Sequence, residues 1–318
     1  MSRTDTPRLP RAIVRIATRA SELALWQSRH VAAALQAAWP GLVTELVPMT
    51  TAGDRSLDRP LALIGGKGLF IKELEVAMLE GRADLAVHSM KDVPFELPDE
   101  LHIAAILRRE DPRDVLLSAN AQTLAALPQG CRVGTSSLRR RSQILSLRPD
   151  LQLLDLRGNV PTRLGRLHNG DYDAIVLAAA GLKRLGLYGD TACTLDAAQM
   201  LPAVGQGAIG IECRRGDVDI ETLLAPLHDE TTACCVRAER AMNARLGGSC
   251  TVPVAGHAEL SDGHVTLRGL VATVDGDDIV RQTASGPAAD ALSIGDALGQ
   301  ALLAAGADRI LSRLHEQS

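Results

Sequence analysis

Hydrophobic positions in this chain fall into two patterns: short continuous apolar runs, and longer stretches where apolar residues recur at helical spacing. Residues 12–17, 43–49 and 85–87 are runs of the first kind, as in strands buried on both faces. Between the first two, Leu25, Trp26, Val31 and Leu35 predict a helix over 22–38, ended by Pro40-Gly41. A second amphipathic stretch, 69–80, leads into Leu85. Two further apolar runs, 103–107 and 114–118, are joined by a polar segment, 108–113, containing Pro112. The rhythm then restarts, with strands at 131–134, 151–154 and 174–177 and helices at 138–147 and 160–167. Strand–helix alternation on both sides of a polar joint predicts two α/β units with a hinge between them.

Beyond them, the Gly-rich stretch 201–211 approaches another strand, where the chain would cross back into the first unit. A helix over 231–246 ends at Gly247-Gly248, a C-cap signal. Strands at 257–260 and 265–270 and a helical tail over 288–314 predict a small α+β domain. Residues 50–66 show no periodicity and read as a lid or binding loop.

The run at Leu85 stops at His88-Ser89-Met90-Lys91-Asp92, and Pro94 blocks extension of the strand. A strand end thus delivers a histidine, a serine, a lysine and an aspartate into one loop, where open α/β sheets bind ligands. Taken alone, the segment also reads as a solvated loop. At the end of the first run, Arg19 stands beside Ser21, an N-cap for the next helix; cap and arginine together suit an anion. Gly65-Gly66-Lys67-Gly68 lacks the spacing and the Ser or Thr of a phosphate loop, so nucleotide binding is rejected.

The net charge is −4 in 318 residues, yet the second unit is lopsided. Arg132, Arg139, Arg140, Arg141, Arg148, Arg157, Arg163 and Arg166 face only Asp150 and Asp155 between positions 132 and 166. Three of these open a helix directly after Gly134-Thr135-Ser136-Ser137. Cations there oppose the helix dipole, whereas hydroxyls, free N–H groups and guanidinium forks together suit carboxylates. Aromatic content is 2%, which argues against a stacking platform for nucleic acid. No run approaches a membrane span, and the polar N-terminal stretch resembles no signal peptide. The six cysteines do not form a disulfide framework, and no CxxC, HExxH or Cys/His clustering occurs. A reduced, cytoplasmic protein without a metal is expected. Cys250, after Gly247-Gly248-Ser249, reads as an exposed cysteine in a tight turn.

Taken in order, Arg15-Ile-Ala-Thr-Arg19, Gly65-Gly-Lys-Gly-Leu-Phe70, Val87-His-Ser-Met-Lys-Asp-Val-Pro94, Gly134-Thr-Ser-Ser-Leu-Arg-Arg140, Leu156-Arg-Gly-Asn159 with Thr162-Arg163, Ala180-Gly-Leu-Lys-Arg-Leu185 and Leu201-Pro-Ala-Val-Gly-Gln-Gly207 closely resemble the hydroxymethylbilane synthase (porphobilinogen deaminase) family over nearly the whole chain. The resemblance implies an α/β fold of two periplasmic-binding-protein-like (type II) lobes plus a small α+β C-terminal domain. The implied domains are 1–107 with 202–226, 112–201, and 229–318. It implies joining of four porphobilinogen molecules into hydroxymethylbilane on a dipyrromethane cofactor, held as a thioether by Cys250. The local sequence Leu246-Gly-Gly-Ser-Cys250 departs from the family's Leu-Glu-Gly-Gly-Cys, and Leu63 stands where relatives carry lysine; both changes keep the attachment atom.

By the same matching, Asp92 is the catalytic carboxylate. Lys91, Ser137, Arg139 and Arg140 hold the cofactor's acid side chains. Arg19, Ser21, Arg157, Arg163 and Arg184 bind the substrate's, with Lys67 acting from the loop. The implied partners are porphobilinogen and the growing polypyrrole chain, with neither nucleic acid nor membrane, in a monomer. Each pyrrole carries an acetate and a propionate, so an arginine-lined cleft suits the growing polyanion. The competing class is a non-enzymatic two-lobed receptor for small carboxylate anions, in which Cys250 would have no purpose.

Overall fold

The computed structural model describes residues 9–55, 70–119, 121–189, 191–247 and 252–316, and in it the strands sort into three sheets. The first comprises β1 (Ile13–Arg19), β2 (Val43–Met49), β3 (Leu85–Ser89), β4 (Leu101–Ile106) and β10 (Ile209–Arg214), in the order β2-β1-β3-β10-β4. The second comprises β5 (Asp114–Ser118), β6 (Arg132–Gly134), β7 (Gln152–Leu154), β8 (Ala174–Ala178) and β9 (Ala192–Thr194), in the order β7-β6-β8-β5-β9. β1 runs parallel to β2 and β3, and β6 parallel to β7 and β8. In each sheet one strand is reversed: β10 in the first and β5 in the second. Each reversed strand is the one that arrives from the other lobe. The two sheets therefore share one order, that of paired type II periplasmic-binding-protein lobes.

The continuous apolar runs are explained by burial on both faces. On β5, Val115 and Leu117 enter one core cluster with Leu156 and Ile175, while Leu116 enters another with Val133 and Ile144. In the first lobe, α1 (Glu22–Ala38) lays Val31 and Leu35 against Val14, Ile16 and Leu85. The helix expected over 69–80 is the shorter α3 (Lys72–Leu79). Within the stretch read as a loop, α2 (Ala52–Arg55) forms one helical turn; residues 56–66 lie outside the described residues. The second lobe adds α4 (Leu138–Leu147), α5 (Val160–His168) and α6 (Ala179–Arg184), and α7 (Val218–Leu224) returns to the first.

The C-terminal sheet is antiparallel, β11 (Val254–Ser261), β12 (His264–Ala272) and β13 (Ile279–Pro287), covered by α8 (Glu230–Arg245) and α9 (Ala291–Leu302). The two helices meet backbone to backbone: a Cβ on Gly295 would lie 2.2 Å from the Ala238 carbonyl oxygen. The expected continuous tail helix is broken at Gly306 (φ 108), beyond which α10 (Asp308–Glu316) begins.

The two crossings between the lobes and the C-terminal domain meet on one carboxylate. Glu239 of α8 is fully buried. Its Oε1 accepts from Arg109 Nη1 at 2.6 Å and from the Ala258 N–H at 2.8 Å. Its Oε2 accepts from Arg109 Nη2 at 3.2 Å and from the Gly205 N–H at 2.7 Å. Arg109 also donates from Nε to the Gln206 carbonyl at 2.8 Å. Nearby, Gly207 has φ +89, and a Cβ there would lie 2.3 Å from the Glu110 carbonyl oxygen, so only glycine passes this crossing. Burial alone would raise the Glu239 carboxyl; Arg109 and His257 hold it below the usual carboxylate range. Removing one partner of such a buried pair costs about 3–5 kcal/mol. Glu239→Gln, which leaves Arg109 uncompensated, is therefore expected to unfold well below the native chain in calorimetry. An unchanged unfolding temperature would show that the junction is held elsewhere.

Candidate active site

β3 ends at Ser89, and a 3-10 turn, Met90–Asp92, places Lys91 and Asp92 at the carboxyl end of the sheet. One cavity here is lined by Arg19, Ser21, Gln27, Phe70, Ser89 and Asp92, among others. Arg19, the last residue of β1, lies over the Phe70 ring at 4.2 Å from its centroid. Ser21 occupies the N-cap position of α1 as expected, but its side chain makes no cap hydrogen bond, and it lines the cavity. Gln27, buried on α1, donates from Nε2 to Ser89 Oγ at 2.8 Å and so fixes the strand end that carries Asp92. The sequence offered no signal for Gln27, an amide inside an ordinary amphipathic helix.

The second lobe supplies the cations. Ser137 caps α4, its Oγ accepting the Arg140 N–H at 3.4 Å, which leaves its hydroxyl proton as a donor. Arg139 and Arg140 are buried, 5% and 6% exposed, and share Asp114. Arg139 Nη1 donates to Asp114 Oδ2 at 2.8 Å and to the Leu201 carbonyl at 2.7 Å. Arg140 donates from Nη2 and Nε to Asp114 Oδ1, at 2.8 and 3.2 Å, and from Nη1 to the Val176 carbonyl at 2.8 Å. Gln206 Nε2 also donates to Asp114 Oδ1, at 2.9 Å. Asp114 thus offsets the cost of two cations at a helix start. It stands first in an apolar strand run and so carried no functional signal in the sequence.

Arg157 makes no hydrogen bond or ion pair with any other residue among the described residues. Arg163 spends its Nε on the Gly158 carbonyl at 2.7 Å. Burial pushes its guanidinium down to about 10; Arg140 and Arg157 add to this and Asp92 opposes it. Burial pushes the Lys91 ammonium down to about 8, opposed by Asp92 and Asp114 and reinforced by Arg140 and Arg139. Lys91 and Asp92 of one lobe therefore share an electrostatic neighbourhood with Asp114, Arg139, Arg140, Arg157 and Arg163 of the other. Arg184 stands apart from this cluster. It donates to the Gly207 carbonyl at 2.7 Å and lies over Trp26, at the contact of α6 with α1. Burial pushes it down to about 10.

Three of the eight arginines read as one anion-binding set are paired elsewhere. Arg132 bridges to Asp173 at 2.9 Å, Arg148 to Asp150 at 2.6 Å and Arg166 to Asp171 at 3.0 Å. A fourth, Arg141, donates to the Leu153 carbonyl at 3.1 Å. Lys67 and Cys250 lie outside the described residues; Cys250 falls in the sequence between Gly247 and Val252, which are described. No helix among the described residues is long and apolar enough to cross a membrane.

Among solved structures, the chain is similar to the BvgS periplasmic VFT2 domain of Bordetella pertussis, with 16% identity over 68% of this chain and 86% of that one and a TM-score of 0.41. It is also similar to a putative methionine-binding lipoprotein of Bacillus subtilis (12%, 70% and 92%, TM-score 0.42). A third is the periplasmic aliphatic sulphonate binding protein SsuA of Escherichia coli (15%, 74% and 70%, TM-score 0.40). The model of the porphobilinogen deaminase dipyromethane cofactor binding domain matches residues 14–222, and that of the porphobilinogen deaminase C-terminal domain matches 233–304. With its two lobes and its C-terminal domain both matched, the chain belongs to the porphobilinogen deaminase family.

Proposed function

We propose that Asp92 is the catalytic carboxylate of this chain and that the cations around it divide between primer and substrate. The family's reaction, which deaminates porphobilinogen and builds hydroxymethylbilane on a dipyrromethane cofactor, makes the chain a transferase of tetrapyrrole synthesis. The observation that carries the site assignment is the convergence of one carboxylate from the first lobe with arginines of the second. Among these, Arg157 has no partner among the described residues.

The donor set fits the primer. Each pyrrole brings an acetate and a propionate, and the side chains facing them are guanidinium forks, an ammonium and a hydroxyl. Lys91, Ser137, Arg139 and Arg140 would hold the primer's carboxylates, and Cys250 its thioether. When bound, the dipyrromethane supplies the nucleophilic pyrrole carbon. Arg19, Ser21, Arg157 and Arg163 orient the acid groups of porphobilinogen, with Arg184 and Lys67 completing the set. As ammonia leaves, positive charge develops on the substrate's methylene and ring. Asp92 is placed to stabilise that charge, to accept a hydrogen bond from a pyrrole N–H and to move protons in the same cycle. The finer reading, four head-to-tail condensations in a cytoplasmic monomer without nucleic-acid or membrane partners, is supported by the family and by the net charge of −4.

The test is the intact denatured mass of the purified chain beside Cys250→Ser. An adduct equal to two porphobilinogens less two ammonias is expected in the first and not in the second. An unmodified native chain that stays unmodified after incubation with preformed hydroxymethylbilane would overturn the reading.

A further inference from the structure

At the end of the first sheet's strands opposite to Asp92, three donors of different chemistry converge. β3 pairs with β10 so that Ser89 faces Ile209 and Leu85 faces Cys213. Cys213 thus lies four residues, roughly 13 Å, along the strand from the catalytic end. In the neighbouring pair, Cys213 of β10 faces His102 of β4, so their side chains lie side by side. The third donor is Glu221, just over one turn beyond Asp217, the cap of α7. His102 Nε2 is 3.5 Å from Cys213 Sγ and 3.1 Å from Glu221 Oε1, and all three donor atoms lie within 4.8 Å of one another.

We propose that His102, Cys213 and Glu221 form a site for a thiophilic divalent cation of the zinc class, pinning α7 to the β4–β10 edge. Zinc bonds of about 2.0–2.3 Å at tetrahedral angles hold N, O and S donors roughly 3.3–3.7 Å apart. The two short separations here already approach that spacing. The side chains of His102 and Glu221 are 24% and 36% exposed while Cys213 is fully buried, so the site opens to solvent on one side and leaves a fourth position for water. Imidazole, thiolate and carboxylate together bring two negative charges, which balance the cation. Binding breaks the Cys213 S–H bond, forms the S–metal bond and releases one proton to solvent. Glu221 Oε1 also accepts the Gly216 N–H at 3.1 Å, which orients the carboxylate from outside the donor set. No spacing motif announces this trio, because its members come from two strands and a helix far apart in sequence.

Cobalt(II) titrated into the cofactor-loaded chain tests the proposal. In that form Cys250 is to be alkylated by the primer and does not compete. One equivalent should bind with a thiolate-to-cobalt charge-transfer band and four-coordinate d–d absorption, both displaced by zinc. Cys213→Ser should lose the charge-transfer band. His102→Asn and Glu221→Gln, both at partly exposed positions that preserve the core, should weaken binding by about tenfold or more in chelator competition. Absence of the band in the native chain would overturn the site, as would unchanged affinity in both of these variants. If Cys213→Ser does not fold, that pair decides alone. Loss of binding in them supports the site, and retention shows that the trio is only a hydrogen-bonded cluster.

Discussion

Asp92→Ala is expected to cut turnover by about 10²–10⁴-fold, the range for removing a positioned acid–base or charge-stabilising group, while the fold survives. The side chain sits on a 3-10 turn whose shape is held by other residues. Met90 is buried in the core, the Met90 N–H donates to the Ala208 carbonyl at 3.0 Å, and Ser89 is held by Gln27. None of these depends on the carboxylate. What the variant loses is the negative charge shared with Lys91 and Arg163, and with it the group facing the cation that forms as ammonia leaves. Primer assembly uses the same condensation, so a purified variant could be inactive merely for lack of primer. The decisive measurement is therefore single-turnover incorporation of porphobilinogen by a variant first loaded with preformed hydroxymethylbilane, its loading confirmed by denatured mass. A loaded variant that adds substrate at the native rate would refute the role.

Much of this architecture is legible in the sequence because parallel strands buried on both faces leave continuous apolar runs. The helix over 22–38 and the strand over 43–49 appear where the pattern puts them. β13 is not legible: Arg281, Gln282 and Thr283 are exposed, and an edge strand with a polar outer face is defined only by its register with β12. The site divides along similar lines. The loop carrying Lys91 and Asp92 announces itself as four polar residues at a strand end, although His88 serves the fold, its Nε2 2.9 Å from Glu212 Oε2 inside the sheet. The arginines do not sort themselves in the same way. Counting eight cations against two aspartates misses Asp173 and Asp171, which lie beyond that window and pair with Arg132 and Arg166. It also misses Asp114, which reaches Arg139 and Arg140 from 25 and 26 residues away. A sequence displays charges; only the fold shows which of them already have a partner within the protein.

The consequence is sharpest at Asp114. Asp114→Asn keeps the shape of the side chain but removes the charge facing two buried guanidinium groups, and breaking such an arrangement costs about 3–5 kcal/mol. A lower unfolding temperature is the first expected result. The second is functional: Asp114, with the Leu201 and Val176 carbonyls, holds Arg139 and Arg140 in place. The variant should therefore carry less covalent primer, seen as an apo fraction in the denatured mass. Burial alone would raise the Asp114 carboxyl, but Arg139 and Arg140 hold it well below the usual carboxylate range. A group depressed in the folded state contributes stability above its unfolded pKa, about 3.9. That contribution is lost as pH falls from there toward the folded value. The native chain should therefore keep the full contribution at pH 5–8 and lose it below about pH 4, whereas Asp114→Asn should lack this part of the acid transition. A variant with native unfolding temperature and full loading would mean that the two arginines are fixed by their carbonyl partners alone. The aspartate would then be a replaceable counter-charge, not the clamp that holds them in place.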